Sequence, residues 1–485
     1  MSHPLAGLLV PELWWDAKAG FAHLDALIED ALELGVGGFL IANGPAEAVV
    51  ELTRELRRRS GEAPLLAAEA EAGAGTAFPG LTPIPPLGAL GALHDAVAFR
   101  RAATLTAREL QSIGVNWALA PVADLADRGA NPFVGARAAG AHAQRVAEWL
   151  VEWIDACQRE GVLACARDFP GVGRATLDPW RAAPVVDADA ATLWADDLIP
   201  FRGAVDAGVA SVLAAPVAFP GMDRSGTPAS QSRPLLTEFL RTELRFDGLI
   251  VSDRLAMPGS ARGGSEGAAA VAAVRAGCDL LLAPEDLGGV LEALEVANDA
   301  GALDLEALEA SRRRRRFWAS WAQSRTRREP TLDDVLWTRQ VADTVVHPVR
   351  GLIPEVGPVV EVVVVADGGG TRWGAPSTAP FFATLRALGL EVQAVDAPSP
   401  DGRGTVVIAV HGGPAPGRGA AALSEGAVAR IASIAVAARA AHRTPLVVCF
   451  APPAVAAGVP PDVVHVLCAW SADRAMQDGA ARRLV

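Results

Sequence analysis

Tyrosine is absent from this chain of 485 residues, and of its 43 basic residues a single one, Lys18, is a lysine. Arginine therefore stands wherever a positive charge is needed, and the Ala-, Gly-, Pro- and Arg-rich composition is that of a GC-rich coding sequence. Cysteine is scarce as well. Cys157, Cys165, Cys278, Cys449 and Cys468 form no Cys-x-x-Cys pair and fall in apolar stretches, which excludes a disulfide framework or thiolate metal centre and predicts buried free thiols. No uncharged apolar run reaches the roughly 18 residues of a membrane span. The first residues carry no basic segment, and Leu5–Val10 is too short for a secretory core, so the expected location is the cytoplasm. A net charge of −13 lacks the basic footprint of a general nucleic-acid binder.

What is present is apolar residue in quantity, 51% of the chain, enough for large cores and incompatible with a disordered class. Short Val/Leu/Ala runs alternate with stretches of helical periodicity. Eight runs read as strands: Leu5–Val10, Gly38–Ala42, Pro64–Ala70, Asn116–Pro121, Val162–Arg167, Val209–Pro216, Gly248–Asp253 and Asp279–Ala283. Leu24–Leu34, Ala46–Arg59, Ala136–Glu160 and Arg233–Leu244 read as helices between them. Near-continuous apolar strands fit a parallel sheet covered on both faces, and eight strand–helix units in about 300 residues fit a TIM (β/α)8-type barrel.

Residues 304–350 break this rhythm with five consecutive arginines, Arg312 to Arg316, followed by Phe317, Trp318 and Trp321. They read as a helical connector, solvated on its charged side and packed on its Trp side. Residues 351–485 return to alternation, with strands at Val359–Val365, Glu391–Val395, Thr405–Val410, Pro445–Phe450 and Val463–Cys468 and helices at Pro380–Leu388 and Ala427–Arg443. That is a smaller open α/β sheet. Asp367-Gly368-Gly369-Gly370-Thr371 lacks the Gly-Lys-Ser/Thr of a phosphate loop and reads as a tight turn. The expected organisation is α/β throughout: a barrel over 1–303, a connector over 304–350 and a second α/β domain over 351–485.

Five motifs then fall in a fixed order: Gly114-Val115-Asn116-Trp117-Ala118-Leu119-Ala120-Pro121-Val122-Ala123-Asp124; Asn131-Pro132-Phe133-Val134-Gly135-Ala136-Arg137; Arg167-Asp168-Phe169-Pro170-Gly171-Val172-Gly173 with Asp178-Pro179-Trp180; Phe246-Asp247-Gly248-Leu249-Ile250-Val251-Ser252-Asp253; and Ala276-Gly277-Cys278-Asp279-Leu280-Leu281-Leu282-Ala283-Pro284. Together they resemble glycoside hydrolase family 3, in the branch of bacterial β-N-acetylhexosaminidases. The resemblance implies retaining hydrolysis of O-glycosyl bonds, with carbohydrate as the partner and no metal or cofactor. It puts the nucleophile at Asp253 and sugar contacts at Glu69, Arg137, Arg167 and Asp168. The family's loop reads Lys-His-Phe-Pro-Gly-His-Gly and later Asp-Ser-His, whose last histidine donates the proton. None of these histidines remains here, and Trp180 stands in the place of the donor.

Retaining hydrolysis needs a carboxylate to attack the anomeric carbon and an acid to protonate the leaving oxygen. Asp253, a strand-end carboxyl, suits the first role, with a nearby Arg254 or Arg137 as the charge that keeps it ionised; an Asp after a strand also serves as an ordinary helix cap. Indole donates a hydrogen bond but yields no proton, so the acid falls to Asp178, beside apolar Trp180, or to Asp168. Three readings stay open. One is a glycosidase with a replaced acid; the second is a catalytically impaired protein that binds a sugar or a partner on the same scaffold. The third is a glycosidase whose acid comes from the C-terminal domain, with Glu425 or Asp367 as candidates.

Overall fold

The computed structural model describes residues 3–126, 128, 131–324, 328–367, 377–414 and 421–485. They form two compact units. The first comprises Met1–Thr82, Asp95–Leu125 and Gly140–Thr331; the second, Pro83–His94, Ala126–Ala139 and Leu332–Val485. The units therefore do not follow the three expected segments one for one. Excursions 83–94 and 126–139 pair with each other, and a Cβ on Gly88 would lie 3.0 Å from the carbonyl oxygens of Ala136 and Ala138. The segment 304–350 is shared between both units rather than standing apart.

Among its described residues the first unit carries nine short strands: β1 (Leu9–Val10), β2 (Glu12–Leu13), β3 (Gly38–Ile41), β4 (Leu65–Ala68), β5 (Trp117–Ala118), β6 (Cys165–Phe169), β7 (Ser211–Ala214), β8 (Leu249–Ser252) and β9 (Leu281–Leu282). All but β2 fall inside or overlap an expected run; of the first run, Leu5–Val10, only Leu9–Val10 is strand, Ala6–Leu8 being a short 3-10 turn, and β2 lies beyond it, after Pro11. The pairings are parallel, in the orders β2-β3-β4-β5, β6-β7-β8 and β1-β9. Parallel bridges Trp117–Leu163 and Val251–Leu280 link neighbouring groups. Strand residues Val10, Leu40, Leu65, Trp117, Cys165, Leu213, Val251 and Leu282 meet in one buried cluster. Within it the Trp117 indole donates to Ser211 Oγ at 2.8 Å, which satisfies a buried polar group at no loss of packing.

Helices separate these strands at Asp25–Leu34, Ala46–Arg59, Ala96–Ser112, Ala143–Arg159, Glu266–Ala276 and Leu287–Asp299, with a wide-turned π-helix at Pro234–Glu243. The expected Ala136–Glu160 helix begins seven residues later, because Gly135–Arg137 is a separate short turn in the other unit. Helix Leu305–Gln323 packs Ala319, Ala322, Trp318 and Trp321 against the strand cluster. Its arginines are not a simply solvated face. Arg314 reaches Asp279 at 3.0 Å, buried Arg315 and neighbouring Arg316 hold Glu62, and Arg312 holds Glu309.

The second unit is a six-stranded sheet of order β10-β15-β14-β13-β11-β12, with β10 His347–Arg350, β11 Val359–Ala366, β12 Glu391–Ala394, β13 Thr405–His411, β14 Thr444–Phe450 and β15 Val466–Cys468. β10 pairs antiparallel with β15, and all other pairs are parallel. The edge strand β10 was not expected. It is short, contains Pro348, and lies in the stretch read as connector; its partner supplies the pairing that its own sequence does not advertise. The Gly368–Thr371 turn expectation lies outside the described residues. All five cysteines are free and buried.

Candidate active site

Parallel alignment brings β2 and the carboxyl-terminal parts of β4, β6 and β8 to the same edge of the first unit, and each supplies charge there. β2 contributes Glu12, the residues after β4 contribute Glu69 and Glu71, β6 carries Arg167 and Asp168, and β8 runs into Asp253 and Arg254. The β6–β7 register shifts between Arg167 and Phe169, so Asp168 is an extra residue, and a bulge of this kind re-aims side chains at a strand end.

Arg167 is the hub of this group. Its Nη1 lies 3.2 Å from Glu69 Oε1 and 3.0 Å from Glu71 Oε1, while its Nε lies 3.2 Å from Asp168 Oδ1. Arg254 forms a second hub. Its Nη1 is 3.2 Å from Glu69 Oε1, its Nη2 donates to Glu12 Oε1, and its backbone N–H donates to Asp253 Oδ1 at 2.7 Å. Glu12, Glu69, Arg167, Arg254 and Asp168 thus form one continuous chain of ion pairs across four strand ends. Burial works against the charge of both guanidinium groups, but the surrounding carboxylates outweigh it and hold both arginines above their ordinary range.

Asp253 is 6% exposed. Burial pushes its carboxyl up to about 6, with Asp168 adding to the rise and the charges of Arg167 and Arg254 opposing it. Near neutral pH it is a carboxylate with little hydration, stabilised by two guanidinium charges.

The loop after β6 is pinned on several sides. Asp124 accepts from Val172 N–H, and Arg174 bridges Asp196 and Asp197 at 2.8 and 2.7 Å. Gly171 sits at φ +116° with the Asp197 side chain 3.2 Å from where its Cβ would be, so no other residue fits there without strain. Farther along, Asp178 Oδ1 accepts from Trp180 N–H at 2.9 Å, closing the Asp178-Pro179-Trp180 turn on itself. Pro179 O accepts from Gly259 N–H at 3.1 Å, and a Cβ on Gly259 would stand 2.6 Å from Pro216 O. The turn is therefore docked on the segment following β8, and the Trp180 ring lies 5.8 Å from Arg254 Cζ.

The structure gathers Glu69, Arg167 and Asp168 by direct ion pairs, and Asp253 by its interaction with Arg167 and Asp168. Asp178 is buried in its own turn. Arg137 belongs to the second unit, where its Nη1 approaches Phe133 O at 3.4 Å. In that unit Asp367 accepts from Ser424 N–H and Oγ at 2.8 and 2.6 Å, and Glu425 opens the following helix; both serve a helix start. Sequence reasoning missed Glu12 and Glu71, which show their role through contacts with distant strands; Arg254 was expected as a charge beside Asp253, but not its ion pairs with Glu12 and Glu69.

The first unit thus presents a buried strand-end carboxylate, set beside guanidinium groups on a parallel α/β framework. The model of the glycosyl hydrolase family 3 N terminal domain matches residues 21–315, and the chain belongs to that family, in its β-N-acetylhexosaminidase-like branch. A β-hexosaminidase of Chromobacterium violaceum is 33% identical over 289 residues, covering 57% of this chain and 80% of that protein. A β-N-acetylglucosaminidase/β-glucosidase of Cellulomonas fimi is 31% identical over 264 residues, covering 52% of this chain but 47% of its own length. The solved family 3 β-N-acetylglucosaminidase from Paenibacillus sp. str. FPU-7 superposes with a TM-score of 0.84 at 23% identity, covering 99% of this chain and 95% of that one. At that identity the likeness shows the fold.

Proposed function

We propose that the protein is a retaining glycosidase acting on β-linked N-acetylhexosaminides, with Asp253 as nucleophile. The observation that carries this reading is the placement of Asp253: buried, at the end of β8, oriented by the Arg254 N–H and flanked by Arg167 and Asp168. A desolvated carboxylate held in one orientation is suited to attack an anomeric carbon. Glu69, Arg167 and Asp168 are assigned to the sugar. The proton donor is assigned to Asp178, in the turn whose third residue, Trp180, has no proton to transfer. Part of the same proposal is that the strand groups β2-β3-β4-β5, β6-β7-β8 and β1-β9 are arcs of one TIM-type barrel; the bridges Trp117–Leu163 and Val251–Leu280 support it. So is a cytoplasmic location, supported by five free, buried thiols.

The test is covalent trapping. A 2-deoxy-2-fluoro glycoside with an activated aryl leaving group needs little protonation, so a glycosyl-enzyme is expected to accumulate and peptide mapping to place the sugar on Asp253. Asp253→Asn is expected to abolish labelling. A label on another residue, or one that survives the substitution, refutes the assignment. Sugar binding without any labelling or turnover would favour the impaired, sugar-binding reading.

A further inference from the structure

We propose that Arg254 is the positioning residue of Asp253: its backbone N–H fixes the carboxylate, and its guanidinium, clamped by Glu12 and Glu69, keeps a positive charge beside it. The inference rests on the reading of Asp253 as nucleophile. Three observations carry it. Arg254 is 3% exposed, and its two Nη groups are both engaged, with Glu12 on β2 and with Glu69 after β4. Two carboxylates from two different strands thus leave the side chain little freedom. The Trp180 ring lies 5.8 Å from Arg254 Cζ, within the range where an aromatic face attracts a guanidinium. Lastly, the Arg254 Nε is buried and has no hydrogen-bond partner among the described residues.

The arrangement also accounts for Trp180. An imidazole in that position would stand against Arg254, where the guanidinium opposes a second positive charge; an indole is uncharged and offers a π face. Arg254 and Trp180 form one unit, and Glu12 belongs to it as the anchor on β2.

The test reads the ionisation of Asp253 directly. The groups that face it are Arg167 and Asp168 from β6 and Arg254 from its own strand end, with Glu69, Glu71 and Glu12 acting through the two guanidinium groups. In protein labelled with 13C-carboxyl aspartate, the resonance lost in Asp253→Asn reports the titration. In Arg254→Met the midpoint is expected to rise by about 1 pH unit, the low end of what a neighbouring Arg contributes. Arg254→Lys is expected to keep the midpoint near that of the wild type, yet to raise KM on an aryl glycoside, because lysine retains the charge and loses the fork. An unchanged midpoint in folded Arg254→Met overturns the proposal, as does an equal rise in Arg254→Lys. Should the wild type resist fluorosugar trapping at every pH, the nucleophile reading falls while the titration still decides the role of Arg254.

Discussion

At the scale of single residues, the telling position is Trp180. By resemblance it occupies the place of a proton-donating histidine, and the obvious repair is Trp180→His with Asp178 orienting the imidazole. The structure sets two obstacles to that repair. Asp178 Oδ1 is already bound to the N–H of residue 180 within the turn, and Pro179 is docked on Gly259. The new ring would also face Arg254. The expected outcome is that Trp180→His alone restores little, while Pro179→Ser combined with Trp180→His raises turnover of unactivated glycosides. General acid catalysis typically contributes about 10²–10⁴-fold, so the gain should be concentrated on substrates with poor leaving groups. Paired kinetics on a disaccharide and a nitrophenyl glycoside check this; equal gains on both would show that the acid step was not repaired.

At the scale of elements, the arginine-rich helix Leu305–Gln323 shows how charge can hold a helix to a sheet. Asp279, 1% exposed, receives Ile250 N–H at 2.8 Å, Ser311 Oγ at 2.6 Å, Arg241 at 2.7 Å and Arg314 at 3.0 Å. From the segment leading into β9 it therefore joins β8, the π-helix Pro234–Glu243 and the terminal helix of the unit. Removing one member of a buried charge network leaves the others uncompensated and costs about 3–5 kcal/mol. Asp279→Ala is expected to lower the unfolding free energy by that order, read as a fall in the denaturant midpoint at unchanged slope. Arg316→Ala, at a half-exposed pair with Glu62, should change it little. Comparable losses from both substitutions would contradict this ranking.

At the scale of the whole molecule, the active site should leave a signature in the pH dependence of stability. The folded carboxyl of Asp253 sits at about 6, against an ordinary value of 3.8. Between those values the folded chain retains a proton that the unfolded chain has lost. Stability from this group is thus fully present below pH 3.8, falls as pH rises, and is lost above about 6. At about 1.4 kcal/mol per pH unit the loss is on the order of 2–3 kcal/mol. Asp253→Asn carries no such charge, so its advantage over the wild type is expected to be small near pH 4 and to reach a plateau above about pH 6. Unfolding curves of the two proteins across this range check it, and a difference independent of pH would refute it.

The sequence by itself determined most strands of the parallel sheets, because they are short apolar runs bounded by polar residues; β2, Glu12–Leu13, is too short and too polar to show this pattern. It also determined the family, since the motifs around Asn116, Arg167 and Asp253 are contiguous and local interactions fix their geometry. Helix starts and the edge strand β10 were less legible, because the Gly135–Arg137 turn and the pairing of His347–Arg350 with Val466–Cys468 depend on partners far along the chain. The site was legible in the same uneven way. Glu69, Arg167, Asp168 and Asp253 stand at strand ends and announce themselves. That Arg254 reaches back 242 residues to Glu12, that Asp178 is bound into its own turn, and that Arg137 belongs to a different compact unit were decided by tertiary structure alone. Ion pairs between strand ends depend on which ends the fold brings together, and a sequence pattern of period two or 3.6 carries no record of that.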